Sequence, residues 1–270
     1  MRIAHKLIIG VLLLIVMIWT VGLYAVHVGE EHLRKAIVSD TSLLASEMIG
    51  SVDRAVSEVV LEWQTYTARS DFKQALADSN AEFAARPDAQ AYINEQDFKW
   101  RSHPAGQTTP FMDAIVDHPQ SHALKRQIAV ISKVRGCKVF GEVFVTNRYG
   151  VNVMQTGRTS DYRQDDEKWW KEAVRDGLFI GEVVCDESSG VFSRDVCIRI
   201  DDEKGNYLGV MKAVLSMKHI IAILKHTVER SLSDTVLSRR FHVLLMDHKR
   251  RVIFSSLDSD SVAAKQNKYC

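Results

Sequence analysis

The sequence predicts an α+β protein behind an N-terminal membrane helix, and three observations carry that reading. From Leu7 to Gly29 there is no Lys, Arg, Asp or Glu, close to the ~20 apolar residues a helix needs to cross a bilayer. From Glu30 to about Arg69 apolar residues recur at helical spacing with no Pro among them. Beyond Glu142 the period shortens to that of strands, with turn residues between the runs.

Arg2 and Lys6 precede the uncharged run, and Glu30 and Glu31 follow it. Positive charge stays inside, so the N-terminus is expected in the cytoplasm and everything after Gly29 outside, in a single-pass arrangement. Trp19 and Tyr24 suit the outer interface. The run exceeds a signal peptide's usual ~7–15 apolar residues, and no A-x-A site follows. No second apolar run of spanning length occurs before Cys270. Bulk charge is nearly balanced, with 35 basic and 34 acidic residues and a net charge of +1. Together with the lack of a Lys/Arg-rich run, this argues against nucleic acid. Scarce Pro and Gly argue against disorder. The 4 cysteines form no C-x-x-C pair.

The long helix after Gly29 carries Leu33, Ile37, Leu44, Met48, Val52, Val56, Val59 and Trp63 near one repeat. At 1.5 Å per residue it would extend roughly 60 Å. It is a core helix of the following domain, a stalk that pairs with a second copy as a homodimer, or each of these in different parts. Shorter helices are expected over 71–78 and 88–100, punctuated by Pro87 and the turn His103-Pro104-Ala105-Gly106. Another runs from Met112 or Ser121 through Val134, with Gly136 as its stop. Strands are expected over 142–146 and 151–155, joined by Asn147-Arg148-Tyr149-Gly150, then over 180–186, 196–200 and 207–215. Glu203-Lys204-Gly205-Asn206 turns the chain between the last two. Ser216 can cap a final helix through Val228.

A weak internal echo follows. "VFVTNRYGVNVMQT" from Val143 can be laid on "VLLMDHKRRVIFSS" from Val243 without a gap. Strand, polar turn and strand coincide, so a second unit of the same kind is expected to begin near Phe241. The domain reading is 1–29 cytoplasmic tip and anchor, 30–100 long helix and helical pieces, 101–230 ligand-binding unit, and 231–270 an incomplete second unit.

The densest stretch is Ser160 to Trp170, "SDYRQDDEKWW". A catalytic reading would use Asp161 or Asp186 as a general acid or base, in a membrane-tethered hydrolase. Against it, Asp165, Asp166 and Glu167 stand where a helix begins, and Lys171 and Arg175 where it ends. That arrangement suits caps and the helix dipole. A metal reading would place a hard ion such as Ca²⁺ on Asp161, Asp165 and Asp186. The stretch holds no His or Cys, and no His-Glu-x-x-His motif occurs. A binding reading uses Trp169 and Trp170, whose rings point about 100° apart on a helix, with Tyr162, Arg163 and Gln164 on the preceding loop and Asp186 and Ser188 at the end of the next strand. Apolar walls with a few convergent polar groups are what ligand sites are made of. Plain core packing is the alternative for each tryptophan. Cys185 and Cys197, on strands flanking a hairpin loop, are either a disulfide or two buried thiols.

The order of "SDYRQDDEKWWKEA", a strand ending "VVCDESSG" and then "IDDEKGNYLGVMKAVLS" resembles the extracytoplasmic Cache sensors. These are PAS-like domains of bacterial and archaeal histidine kinases, chemoreceptors and cyclases. The resemblance implies a PAS-like antiparallel sheet, with Tyr162, Trp169, Trp170 and Asp186 facing a small-molecule ligand. It implies no catalysis within the chain and no cofactor. It also implies signalling through a transmembrane histidine kinase or chemoreceptor, in the double form with two stacked units. An interrupted, non-functional receptor fragment is the remaining alternative. One departure bears on the ligand. The amino-acid-binding branch places Arg two residues before the Trp, and here that position is Glu167. The following aromatic is Trp170 rather than Tyr. Arg163 is spaced wrongly to replace that Arg, and Asp161, Glu167 and Asp186 favour a cationic or hydroxylated ligand.

Overall fold

The computed structural model describes residues 3–104, 106–186, 191–232, 243–246, 249–250 and 252–255. Ser188 lies outside the described residues, as do the side chains of Cys185 and Asp186. Two compact units divide the chain, Met1–Gly50 and Ser51–Cys270.

In the first unit the chain is helix α1, which runs Ile3–Thr67. Its apolar side chains from Ile8 to Val26 are exposed, and it is long and apolar enough to cross a membrane. The helix runs on through Gly29. A lone glycine costs only about 1 kcal/mol in a helix, too little to stop one with good formers on both sides.

The second unit begins with the end of α1, where Val56, Val59, Trp63 and Tyr66 are buried. That end is a core helix. Helices α2 (Ser70–Ala84), α3 (Ala89–Ser102), α4 (Pro110–Val116) and α5 (Pro119–Arg135) follow. The sequence reading leaves one helix starting at Met112 or Ser121; the structure has two, and the Ser121 start is the one close to α5. Pro119 has no N–H and cannot continue α4, so it starts α5 instead, as Pro110 starts α4. Thr109 Oγ1 accepts from the Met112 amide at 3.3 Å, and Gly136, at φ 68°, ends α5.

Strands β1 (Phe140–Asn147) and β2 (Asn152–Gln155), helix α6 (Lys168–Asp176), strands β3 (Leu178–Asp186), β4 (Val191–Asp201) and β5 (Tyr207–Ser216), and helix α7 (Met217–Leu232) complete the described domain. The five strands form one antiparallel sheet in the order β2-β1-β5-β4-β3. β4 is longer than its apolar core 196–200 because it is paired along both edges. The β1–β2 turn needs Gly150. Its φ is +75°, and a Cβ there would meet the Asp165 amide nitrogen at 2.7 Å. Ser216 Oγ accepts from the Lys218 amide at 3.3 Å, capping α7 as expected.

Register makes the two sheet faces explicit, since directly opposed residues share a face. One row across all five strands reads Met154, Val145, Met211, Ile198, Leu178. It is wholly apolar, and on the same side Trp63 of α1 meets Phe140 edge-on at 5.2 Å. The next row, on the other face, reads Gln155, Phe144, Lys212, Cys197, Phe179.

The register also decides the cysteines. Cys185 lies opposite Phe192 and Cys197 opposite Phe179. Their backbones are therefore offset by five residues, roughly 17 Å, whereas a disulfide needs Cα atoms about 4.4–6.8 Å apart. Of the two readings of these cysteines the register excludes the Cys185–Cys197 bridge, and Cys197 is a buried free thiol.

Strands β6 (Leu244–Met246) and β7 (Val252–Ser255) make a separate antiparallel hairpin. Its pairs are Leu244–Ser255, Leu245–Phe254 and Met246–Val252, with an irregularity before Met246. Those are the β1–β2 pairs Phe144–Gln155, Val145–Met154 and Thr146–Asn152, with the irregularity at the same place. The sequence echo is thus an echo of register and bulge.

Candidate functional site

α6 lies over the β3, β4 and β5 part of the polar row. Trp169 and Ala173 pack with Phe144, Cys197 and Val210, and the Trp169 and Phe144 rings meet edge-on at 5.8 Å. Lys212 rises from the middle of β5 beneath this helix. Its Nζ is 2.8 Å from Asp195 Oδ2 and 4.8 Å from the Trp169 ring centroid. Its side chain is only 16% exposed. Glu142, two residues before Phe144 on β1, completes the cluster. Burial pushes its carboxyl up, Lys212 opposes that, and Asp195 adds to it. Burial likewise pushes the Cys197 thiol up.

Gln155 is fully buried at the β2 end of the row, and neither its amide nitrogen nor its amide oxygen has a hydrogen-bond partner. The buried Tyr207 hydroxyl is unpartnered as well. Tyr207 meets Trp170 edge-on at 6.2 Å. Trp170 Nε1 donates to Thr146 Oγ1 at 2.9 Å, and Thr146 Oγ1 donates to the Val210 carbonyl at 3.2 Å. Arg199 donates to Asp201 and to the Val174 carbonyl, each at 2.8 Å. The two tryptophans therefore divide as their helical spacing predicts: Trp169 inward with Ala173, Trp170 half-buried at the rim.

The loop before α6 goes elsewhere. Tyr162 is buried against Trp100 and Phe111, at 5.7 and 5.2 Å between ring centroids. The amides of Tyr162 and Arg163 both donate to Asp97 Oδ1 at 3.1 Å. Arg163 Nη2 donates to Asp165 Oδ2 at 3.0 Å, and Nη1 to Asn94 Oδ1 at 3.2 Å. The Asp161 carbonyl accepts from Asn152, Gln164 and Thr159 side chains. These bonds stitch the loop to α3 and to β2. Of the expected site residues, then, the fold gathers Trp169 and Trp170 on the sheet face. It places Asp161, Tyr162 and Arg163 in a joint beside a different aromatic cluster.

The acidic run differs from expectation too. Glu167 is the N-cap of α6 by position but makes no side-chain cap bond, and the first turn holds no acid. Asp165 is tied to Arg163 instead, since a guanidinium two residues away offers two donors where a helix amide offers one. Among the described residues, no group of three or more His, Cys, Asp or Glu converges as a metal site would.

The sequence reading missed Glu142, Gln155, Asp195 and Lys212. One signal was present. In "YLGVMKAVLS" a lysine interrupts an apolar strand, and a charge at a sheet's centre requires a reason.

No protein-family model matches the chain, and no curated protein matches it. Solved structures do. The sensory domain of the Campylobacter jejuni chemoreceptor Tlp3 matches at 13% identity and a TM-score of 0.38, over 82% of this chain and 76% of that one. The sensor domain of the Vibrio cholerae histidine kinase DctB matches at 10% identity and 0.35, over 74% and 67%. The ligand-binding domain of the Pseudomonas aeruginosa amino-acid chemoreceptor PctC, in complex with GABA, matches at 16% identity and 0.30, over 63% and 65%. The structural matches of this chain are Cache sensor domains of chemoreceptors and histidine kinases.

Proposed function

We propose that the chain is a membrane-anchored extracytoplasmic sensor module that binds a small molecule on the polar sheet face, between α6 and the β2 edge. It does no chemistry of its own. α1 anchors it with the N-terminus in the cytoplasm and pairs with a second copy. The bound state is read by a transmembrane signalling protein of histidine kinase or chemoreceptor type.

The observation that carries this reading is the buried amide of Gln155, unpartnered at both ends. An unsatisfied buried polar group costs about 1–3 kcal/mol, and an apolar side chain in its place would add about 1.5–3 kcal/mol. The opposite face of the same sheet takes that option with Met154. Stability alone does not explain a glutamine there, or a lysine two strands away. A ligand that partners the amide does. Such a ligand shifts the domain only insofar as it binds one conformation more tightly than another.

The test is a thermal-shift screen of the full chain in detergent with amino acids, amines, carboxylates, purines and sugars. One class should raise the melting temperature in proportion to the logarithm of its concentration. Gln155→Leu should abolish that shift while leaving the ligand-free protein as stable or more so. A ligand shift that survives Gln155→Leu would remove this face from the proposal.

A further inference from the structure

We propose that the ligand of this face is a small organic cation without a carboxylate, its protonated nitrogen received by Glu142. This rests on the reading of the sheet face as the ligand site and names the chemistry it takes.

The inference comes from charge and pairing. Among the described residues on this face, three carboxylates (Glu142, Asp195, Asp201) stand against two cations (Lys212, Arg199). Both cations are already engaged: Lys212 with Asp195 at 2.8 Å, and Arg199 with Asp201 at 2.8 Å. Lys212 also has the Trp169 ring beneath it. The α6 charges are engaged as well, Lys168 with Glu172 and Arg175 with Asp176, while Lys171 donates to the Asp166 carbonyl. Glu142 alone is half-buried with neither an ion pair nor a hydrogen bond from a described residue. Glu142 is therefore the half-buried carboxylate of this face that a ligand cation could pair. A ligand carboxylate beside Glu142 would meet Glu142 and Asp195 as like charges, whereas an ammonium would pair with Glu142; the remaining cation nearby, Arg148, acts on Tyr207 rather than on Glu142. Gln155, on the neighbouring strand opposite Phe144, offers a neutral donor and acceptor for a hydroxyl, amide or second nitrogen on the same ligand. Phe144 and Trp169 provide the apolar wall between them.

The experiment is calorimetry on the full chain in detergent with three probes of one carbon frame: isobutylamine, L-valine and isovalerate. 1,4-Diaminobutane and phenethylamine serve as larger amines. At least one amine should bind, and more tightly than L-valine or isovalerate. In Glu142→Gln, which keeps the size of the side chain, amine affinity should fall about tenfold or more. In the wild type, amine affinity should fall as the pH drops through the Glu142 titration, because a protonated carboxyl cannot pair. In the variant it should stay flat over that range.

Binding of isovalerate or L-valine in preference to every amine overturns the cation. If that binding is lost in Gln155→Leu, the sheet face still stands as the site. Amine binding unchanged in both variants places the ligand elsewhere and overturns both the cation and the site, as does the absence of binding by any probe.

Discussion

Glu142 and Cys197 sit within the same polar cluster, yet burial acts on them with different consequences. The Glu142 carboxyl titrates above the ordinary glutamate value because burial disfavours its charge. A folded-state value above the unfolded one means that the group's contribution is fully present at low pH and is lost as pH rises through the folded value. The wild type should therefore lose stability relative to Glu142→Gln from about pH 4.5 upward. Melting temperatures of both proteins between pH 4 and 8 check this, and a constant difference across that range would contradict it. Cys197 is fully buried, and burial disfavours its thiolate. It should resist an aromatic disulfide reagent at pH 8 in the folded protein and react once the protein is unfolded. Rapid labelling of the native chain at Cys197, mapped by mass spectrometry, would show that α6 does not cover it.

At the scale of elements, α6 is held to the sheet by one side chain above all. Trp169 contacts Phe144, Cys197, Val210 and Lys212 together. Trp169→Ala should cost about 3–5 kcal/mol in denaturant unfolding. Trp170→Phe keeps an aromatic ring but loses part of its area and the bond to Thr146, so a loss of at least about 0.5–1.5 kcal/mol is expected. Equal losses from the two substitutions would mean that the inward and rim assignments are wrong. The β1–β2 hairpin depends on Gly150 in the same way. Gly150→Ala adds a left-handed residue, at about 1–2 kcal/mol, and drives its methyl into the Asp165 backbone. The loss should exceed that figure, and stability unchanged from the wild type would refute the turn geometry. The α6 N-terminus shows why local patterns mislead. Asp165, Asp166 and Glu167 look like caps by position, but Arg163 competes for Asp165, and that contest is settled in space.

For the whole molecule the proposed topology is directly testable. The chain should sediment with membranes and require detergent for release. A membrane-impermeant maleimide should label Ser39→Cys in intact, outer-membrane-permeabilised cells. Protection of that cysteine until the inner membrane is lysed would reverse the orientation. The sequence alone determined the elements and most of their boundaries, because a span without charge, a repeat near 3.6 and an alternation of 2 are local consequences of backbone geometry. It also determined the second hairpin, since a gap-free echo 100 residues on preserved both pairing and bulge. Tertiary structure decided which residues make up the proposed site. Glu142, Gln155, Asp195 and Lys212 come from four strands and are brought together only by sheet order and register, while Tyr162 and Arg163, their sequence neighbours Trp169 and Trp170 notwithstanding, turn away to α3. It also separated Cys185 from Cys197, because pairing register is fixed by the hydrophobic faces of whole strands rather than by the loop between two cysteines.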